Sequence, residues 1–316
     1  VSFASAERPP DLSIIVVNWN VRELLRRCLE SIAAGGERWG LEVVVVDNAS
    51  DDGSVEMVRR EFPWVRLVAS PVNLGFTGGN NLGMADSRGR YLLLLNPDTE
   101  IVGDSLSRML AYMEAHPEVG ALGPKLLYPD GSVQSSRRRF PTLKTMFLES
   151  TILQQWWPEN DTLQRYYILD RPDDVTQEVD WLRGACLLIR RRALEEIGPL
   201  DERFFMYFEE LDWCRRCRQS GWQVVYLPAA EVIHHEGGSS SQVVAARHLY
   251  FQRSKLYYTR KWMGGQAAEV LRLFLLATYA WQWLEEGGKW LIGHRRPMRR
   301  QRMAAYGQLL RSGLKD

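Results

Sequence analysis

Four short apolar runs recur in the N-terminal third of the chain: residues 12–17 (LSIIVV), 41–46 (LEVVVV), 65–69 (VRLVA) and 91–95 (YLLLL). Mostly unbroken runs of this length suit strands covered on both faces. Between them the spacing becomes helical, in VRELLRRCLESIAA, then in SVEMVRREF after the turn residues NASDDG, then in TGGNNLGMADSRG. Strand and helix alternate, which predicts an α/β fold with a parallel sheet, right-handed crossovers and flanking helices. Open α/β sheets bind ligands beyond the carboxyl ends of their strands. Those ends carry Asn18 and Asn20, Asp47 and Asn48, Asn73, and Asn96 with Asp98, so polar residues gather where a site is expected.

Beyond residue 100 the pattern predicts a helix over 104–116 and a hairpin in KLLYPDGSVQSS, turning at Pro129, Asp130 and Gly131. Residues 137–178 are rich in Arg, Pro and Trp and suggest no regular element. VDWLRGACLLIRR reads as one long strand, PLDERFFMYFEELDWCRRCRQSG as a loop entering a helix, and WQVVYLPAAEVIHHEGG as a strand with its exit loop. Residues 1–10 are polar and proline-ended, without the apolar stretch of a signal peptide, and read as a disordered lead-in. One domain is expected over 11–244 and a helical segment over 245–316. In the latter, EVLRLFLLATYAWQWL (269–284) is helical and aromatic-rich, EEGG interrupts it, and Lys289, Arg295, Arg296, Arg299, Arg300 and Arg302 follow. Arg272 and the interruption leave it short of the roughly 20 apolar residues of a spanning helix. Two readings stay open, an interfacial helix with a basic flank at a membrane surface and a helix packed on its own domain or a partner.

Composition narrows the partners. Forty basic against thirty-nine acidic residues give a net charge of +1, so no global field argues for nucleic acid. The cysteines Cys28, Cys186, Cys214 and Cys217 are too few and scattered for a disulfide framework, and a reducing, cytoplasmic setting is expected. Cys214 and Cys217 form a CxxC with no second pair, in a stretch that reads as helix; structural thiols are expected there.

The chemistry concentrates in a few stretches. In NPDTE, Pro97 stops the strand and leaves Asp98 just past the sheet, where a carboxylate can hold Mg²⁺ or Mn²⁺ against a diphosphate. The same residues are also helix N-cap chemistry. Asp47, in VVVVDNASDDGS, can accept from a sugar hydroxyl or a base N–H, or simply begin a loop. PVNLGFTGGNNLG matches neither G-x-G-x-x-G nor a P-loop. Its glycines suit close approach of backbone to a polar ligand, or helix packing. In FFMYFEELDWC, Glu209, Glu210 and Asp212 crowd beside aromatics, which raises carboxyl pKa values toward those of a general base. Acids in a first helical turn also complement the helix dipole. His234 and His235, at a strand exit, can ligate a metal or cap a turn.

The order of these stretches, with W-L-R-G-A at 181–185 and H-x-x-G-x-S at 234–239, resembles family 2 glycosyltransferases, inverting enzymes of the Rossmann-like GT-A fold, which implies a mixed, mostly parallel sheet flanked by helices, and among them the bacterial rhamnosyltransferase-like members. The resemblance covers about residues 11–240. It implies that Asp47 and Asn48, with the loop of Asn18 and Asn20, enclose the nucleotide base, and that Asn73, Gly75, Phe76, Gly79, Asn80 and Asn81 line the nucleotide-sugar pocket. The family's Asp-x-Asp falls on Asn96-Pro97-Asp98, departing at the first position, with Asp98 on the metal and His234 joining it. Arg183, Gly184 and Ala185 fall in the donor and acceptor region. Glu209-Glu210 stand where the family has Glu-Asp, which makes Glu210 the implied base. The implied reaction is metal-dependent, inverting transfer of a sugar from a nucleoside diphosphate donor, by family precedent dTDP-rhamnose, to a saccharide or lipid-linked saccharide in cell-surface polysaccharide synthesis. Two alternatives remain at this point. A nucleotidyltransferase would want a glycine-rich basic loop after the first strand, which NWNVRELL lacks; a catalytically impaired nucleotide-sugar-binding protein is suggested by Asn96 and Glu210.

Overall fold

The computed structural model describes residues 9–35, 39–237, 244–293 and 295–315. The lead-in expected over 1–10 and Ser239 of the histidine motif therefore lie wholly or largely outside the described residues. The chain divides into two compact units, one of residues 1–140, 167–205 and 209–239, the other of residues 141–166, 206–208 and 240–316.

The first unit begins with β1 (Leu12–Asn18), α1 (Arg22–Gly35), β2 (Leu41–Asn48), α2 (Ser54–Glu61), β3 (Arg66–Ser70), α3 (Gly75–Ala85) and β4 (Tyr91–Leu95). It continues with β5 (Thr99–Ile101), α4 (Ser105–Ala115), β6 (Val119–Leu127), β7 (Val133–Gln134) and β8 (Arg137–Arg138). Three short helices of the second unit follow, α5 (Leu143–Leu148), α6 (Ile152–Trp156) and α7 (Asp161–Tyr166). The chain then returns to the first unit for β9 (Gln177–Glu178), β10 (Trp181–Leu182), β11 (Cys186–Arg190), α8 (Arg191–Ile197), α9 (Glu209–Gln219) and β12 (Gln223–His234). The second unit closes with α10 (Val244–Met263), α11 (Gly265–Leu291) and α12 (Arg296–Ser312).

The main sheet is mixed and runs β3-β2-β1-β4-β11-β6-β12-β5. Its first four strands are parallel, as is the β6–β12 pair. The core sits where the apolar runs predict: every residue of β1 and β4 is buried. β3 departs from that prediction, because as an edge strand it has one neighbour and stays partly exposed. Helix α3 lies flat on β1 because its glycines permit it. A Cβ on Gly83 would stand 2.4 Å from Ile15 Cγ2, and one on Gly79 would stand 2.7 Å from Val17 Cγ1. All four cysteines are free and buried, and burial pushes the Cys28 and Cys217 thiols up to about 12, as suits structural thiols.

Two sequence expectations need correction here. VDWLRGACLLIRR is not one strand: β10 pairs with β8, and β11 pairs with β4 and β6. The three residues between are held by other partners, Arg183 N donating to Ser136 O at 2.9 Å and Asn96 N donating to Ala185 O at 2.9 Å. Residues 137–178 are not irregular throughout. α5 starts at a capping box in which Thr142 and Thr145 exchange side-chain and backbone bonds, a signal easily missed without the usual acidic partner.

In the second unit, the Phe208 ring lies 5.5 Å from that of Phe251 and 5.7 Å from that of Tyr258, and Phe147 lies 5.1 Å from Phe274. Lys255, fully buried, donates to the carbonyl of Glu149 at the end of α5. The expected break at EEGG does not occur, and α11 runs on through Glu285–Gly288 to Leu291. Buried Glu286 is tolerated because Arg299 meets its carboxylate at 2.6 Å and Arg302 at 3.1 Å.

Candidate active site

At the ends of β1 and β2 the parallel register sets Asn18 beside Asp47. Asn18 Nδ2 donates to Asp47 Oδ2 at 2.8 Å and to Ser50 Oγ at 3.1 Å, while Ser50 N donates to Asp47 Oδ1 at 2.9 Å. Asn20 N donates to Ser50 Oγ at 3.0 Å, and Asn20 Oδ1 accepts from Asp51 N at 2.8 Å. The turns that permit this bring Asn20 and Ala49 to φ 53 and 61. The two strand-end loops are thus knitted into one polar floor, with Asn18 Oδ1 buried and unpartnered.

The Gly/Asn loop docks on the same floor. Asn48 Nδ2 donates to Gly75 O at 2.9 Å, and Asn73 Oδ1 accepts from Gly75 N at 2.8 Å. Gly75 has φ 75 and a position where a Cβ would stand 2.5 Å from Phe205 O, so no other residue fits. Phe76 N donates to that same carbonyl at 2.9 Å. Farther along α3, Asn80 Nδ2 bonds Phe76 O, and Asn81 turns away to clamp Leu200 through both its amide groups.

A second cluster forms where β4 ends. The chain turns at Asn96-Pro97-Asp98 and returns as β5, which pairs with β12 so that Thr99 faces His234. NPDTE therefore starts a strand, not a helix. This pairing brings His234 Nε2 to 3.3 Å from Asp98 Oδ1, both residues buried. His234 Nδ1 lies 2.6 Å from Gln134 Oε1, and Gln134 Nε2 donates to Glu236 Oε2 at 3.3 Å. The Glu236 bond fixes the amide orientation, so Gln134 presents its oxygen and Nδ1 carries the proton. His234 Nε2 and the Asp98 carboxylate thus face each other as an ion pair when the ring is protonated, and as two donors for a shared cation when it is neutral. Glu236 is anchored by Arg183 Nη2 at 2.7 Å. His235 pairs instead with Glu100 at 2.7 Å. Asn96 Oδ1 is buried without a partner.

The acids of α9 form the third element. Asp212 is neutralised by Arg216 at 3.0 Å. Glu210 Oε1 accepts from Gly184 N at 3.3 Å, while Glu210 Oε2 and Glu209 Oε2 are buried with no partner. Burial, and then the neighbouring Glu210 charge, push the Glu209 carboxyl well above its ordinary value. Burial likewise raises Glu210, opposed by backbone N–H groups including that of Gly184 and by the Arg183 charge. Just before α9, Tyr207 and Phe208 both stand at φ 69, a pair of left-handed non-glycine residues of the kind found where a functional side chain is held in place. Sequence reasoning missed Ser50, Gln134 and Phe205. Glu236 lay in the HHEGG stretch but carried no mark of its own.

The mixed sheet with helices on its faces has the GT-A architecture. The fold is similar to that of GalNAc-T7, solved with UDP, GalNAc and Mn²⁺, at a TM-score of 0.58 and 14% identity over 81% of this chain and 48% of that one. It is also similar to that of the mannosyltransferase PcManGT of Pyrobaculum calidifontis, solved with GDP-Man and Mn²⁺, at 0.55 and 17% over 96% and 88%. The model of glycosyl transferase family 2 matches residues 13–198, and the chain belongs to that family. It is an enzyme, a glycosyltransferase, which removes the nucleotidyltransferase alternative. The N-acetylglucosaminyl-diphospho-decaprenol L-rhamnosyltransferase of Mycobacterium tuberculosis is 34% identical over 257 residues, 78% of this chain and 82% of its own. The rhamnosyltransferase WbbL of Escherichia coli K12 is 25% identical over 232 residues, 70% and 82%.

Proposed function

We propose that the chain transfers rhamnose, with inversion, from a nucleoside diphosphate donor to a saccharide or lipid-linked saccharide acceptor in cell-surface polysaccharide synthesis. The observation that carries this reading is the approach of Asp98 Oδ1 and His234 Nε2 to 3.3 Å beside a partly buried Glu210 with a free acceptor oxygen. The two relatives named above support rhamnose, and the lipid diphosphate in the name of the mycobacterial one supports a lipid-linked acceptor. Such an acceptor would be met at the inner face of the cell membrane, and four free thiols suit the cytoplasm.

Asp98 and His234 fit a divalent cation, Mg²⁺ or Mn²⁺: an oxygen and an imidazole donor, the latter oriented by Gln134. Among the described residues no group of three His, Cys, Asp or Glu side chains gathers to hold a metal, so Asp98 and His234 would be the residues that hold the cation. A bound cation there supplies positive charge to the departing diphosphate. Asn18, Asn20, Asp47 and Asn48 form the floor for the base, and Asn73, Gly75, Phe76, Gly79 and Asn80 wall the donor. Arg183, Gly184 and Ala185 lie beside Glu210 and face the acceptor. Glu210 Oε2 takes the proton of the acceptor hydroxyl as that oxygen bonds to the anomeric carbon and the bond to the diphosphate breaks. Burial and the neighbouring Glu210 charge raise the Glu209 carboxyl well above its ordinary value, which favours its neutral form beside the base. Displacement from the opposite face inverts the anomeric centre.

The test is thermal: nucleotide sugars with Mn²⁺ raise the melting temperature of the wild-type chain, and Asp98→Ala loses the metal-dependent part of that rise. A donor shift equal in both proteins removes Asp98 from the metal.

A further inference from the structure

We infer that α11 docks the chain on an anionic lipid surface and lies along it. The inference deepens the proposed function, on which it rests for a lipid-linked acceptor, but the helix argues it independently. A surface helix normally carries one apolar stripe; α11 carries two. Ala268, Leu271, Leu275 and Tyr279 are buried within the second unit. Val270, Leu273, Trp281, Leu284 and Leu291, with exposed Ala277 and Gly288 completing the three-to-four-residue spacing, face water. Their exposure runs from 55% at Leu273 to 71% at Leu291, and Ile292 beyond the helix reaches 81%. The stripe is roughly 30 Å long at 1.5 Å per residue. An unbroken apolar surface of that length marks an interaction site.

Charge decides the occupant. Between Gly287 and Lys315 there is no acidic residue against eight Lys and Arg. Lys289 pairs with Glu285, but Arg295, Arg296 and Arg300 follow the end of the stripe exposed, with the Arg296 guanidinium 5.4 Å over the Trp290 ring. A second copy of the chain would bring two such positive fields together, and a nucleic acid would leave the apolar stripe in water. A bilayer with anionic headgroups meets both halves: the interface receives the Trp281 ring with the leucines of the stripe, and the headgroups receive the arginines. Among the described residues no helix is long and apolar enough to cross a membrane. Glu269, Arg272 and Glu285 on α11 keep it in the interfacial plane.

The experiment is flotation of the full chain with phosphatidylcholine vesicles, with and without phosphatidylglycerol, in the absence of any sugar. Wild-type protein is expected to float only with the anionic vesicles and to be released by salt. Replacing Arg295, Arg296 and Arg300 by Glu lowers partitioning by at least on the order of 100-fold. Trp281→Ser with Leu284→Ser and Leu291→Ser abolishes it, and since all three side chains are exposed the variant keeps its melting temperature. Wild-type protein that stays in the soluble fraction with anionic vesicles overturns the inference, as does equal binding to neutral ones. A dimer that the serine variant splits, without vesicle binding, assigns the stripe to a second copy instead. A chain that fails to float yet shows donor-dependent stabilisation defeats this inference alone; one that floats without any donor shift defeats the transfer reading alone.

Discussion

At the ends of β1 and β2 the polar side chains, Asn18 Oδ1 apart, are spent on one another, whereas the acids at the start of α9 are not. Asp47 accepts through both oxygens and Ser50 Oγ accepts twice, so that corner keeps its shape with or without a ligand. Asp98 lies against His234, and Glu209 and Glu210 each bury an oxygen without a partner among the described residues. Unsatisfied buried acceptors are costly unless function supplies the missing partner. The contrast separates a preformed floor from a pair of acids left with free acceptor oxygens.

The sharpest test of that contrast is Glu210→Gln, which keeps the shape and removes the base. Release of nucleoside diphosphate in the presence of acceptor should fall by ~100- to 10,000-fold while the donor still raises the melting temperature. Turnover close to wild type would take the base role from Glu210. Next in size is Gln134→Leu, which leaves His234 Nδ1 unpaired. Mn²⁺ affinity should weaken ~10- to 100-fold, read from the spin-resonance signal of free Mn²⁺ without any sugar present. Unchanged affinity would make the Gln134 contact purely structural.

A third, smaller effect concerns pH. Because burial holds Glu210 above the ordinary carboxyl value of 4.5, kcat/KM should rise with pH along a limb lying above that value. Arg183→Gln, which removes a charge that lowers the Glu210 pKa, should carry the limb higher; a limb that drops would reverse the assigned electrostatics. The sign for stability is the companion of this shift. Carboxyls raised in the folded state favour folding most when protonated, below the unfolded pKa, and that advantage is lost as pH rises through the folded values. The smallest effect is expected at the hydrogen-bonded corner of Asn18, Asp47 and Ser50. Ser50→Ala loses the acceptor of Asn18 and Asn20 and should cost about 1 kcal/mol of stability with turnover little changed. A Ser50→Ala loss of turnover matching that of Gln134→Leu would erase the distinction between the two corners.

The parts of the site visible in the sequence were those announced by local chemistry. Pro97 ends a buried strand wherever it occurs, so Asp98 was readable, and the two histidines marked a strand exit. Gln134 carried no such signal, because its role depends on β7 pairing with β6 and so reaching the neighbourhood of β12. Glu236 became visible only as the group that orients Gln134 and holds Arg183. Asn81 read as a ligand-facing residue from its loop, yet its amide is engaged by Leu200, a partner distant in the chain.

By its apolar periodicity alone the chain determined β1, β2 and β4, the helices between them and the polar residues at their carboxyl ends, because unbroken apolar runs are stable only with both faces covered. Tertiary structure decided the rest. It broke the run from Val179 to Arg191 at residues whose hydrogen bonds go to Ser136 and Asn96, and it left β3 half exposed by giving it one neighbour. It carried α11 through two acids and two glycines, because Arg299 and Arg302 compensate the Glu286 charge that disfavours burial. Local propensity sets what a segment can become; the partners it meets across the fold set where it stops and which of its charges survive burial.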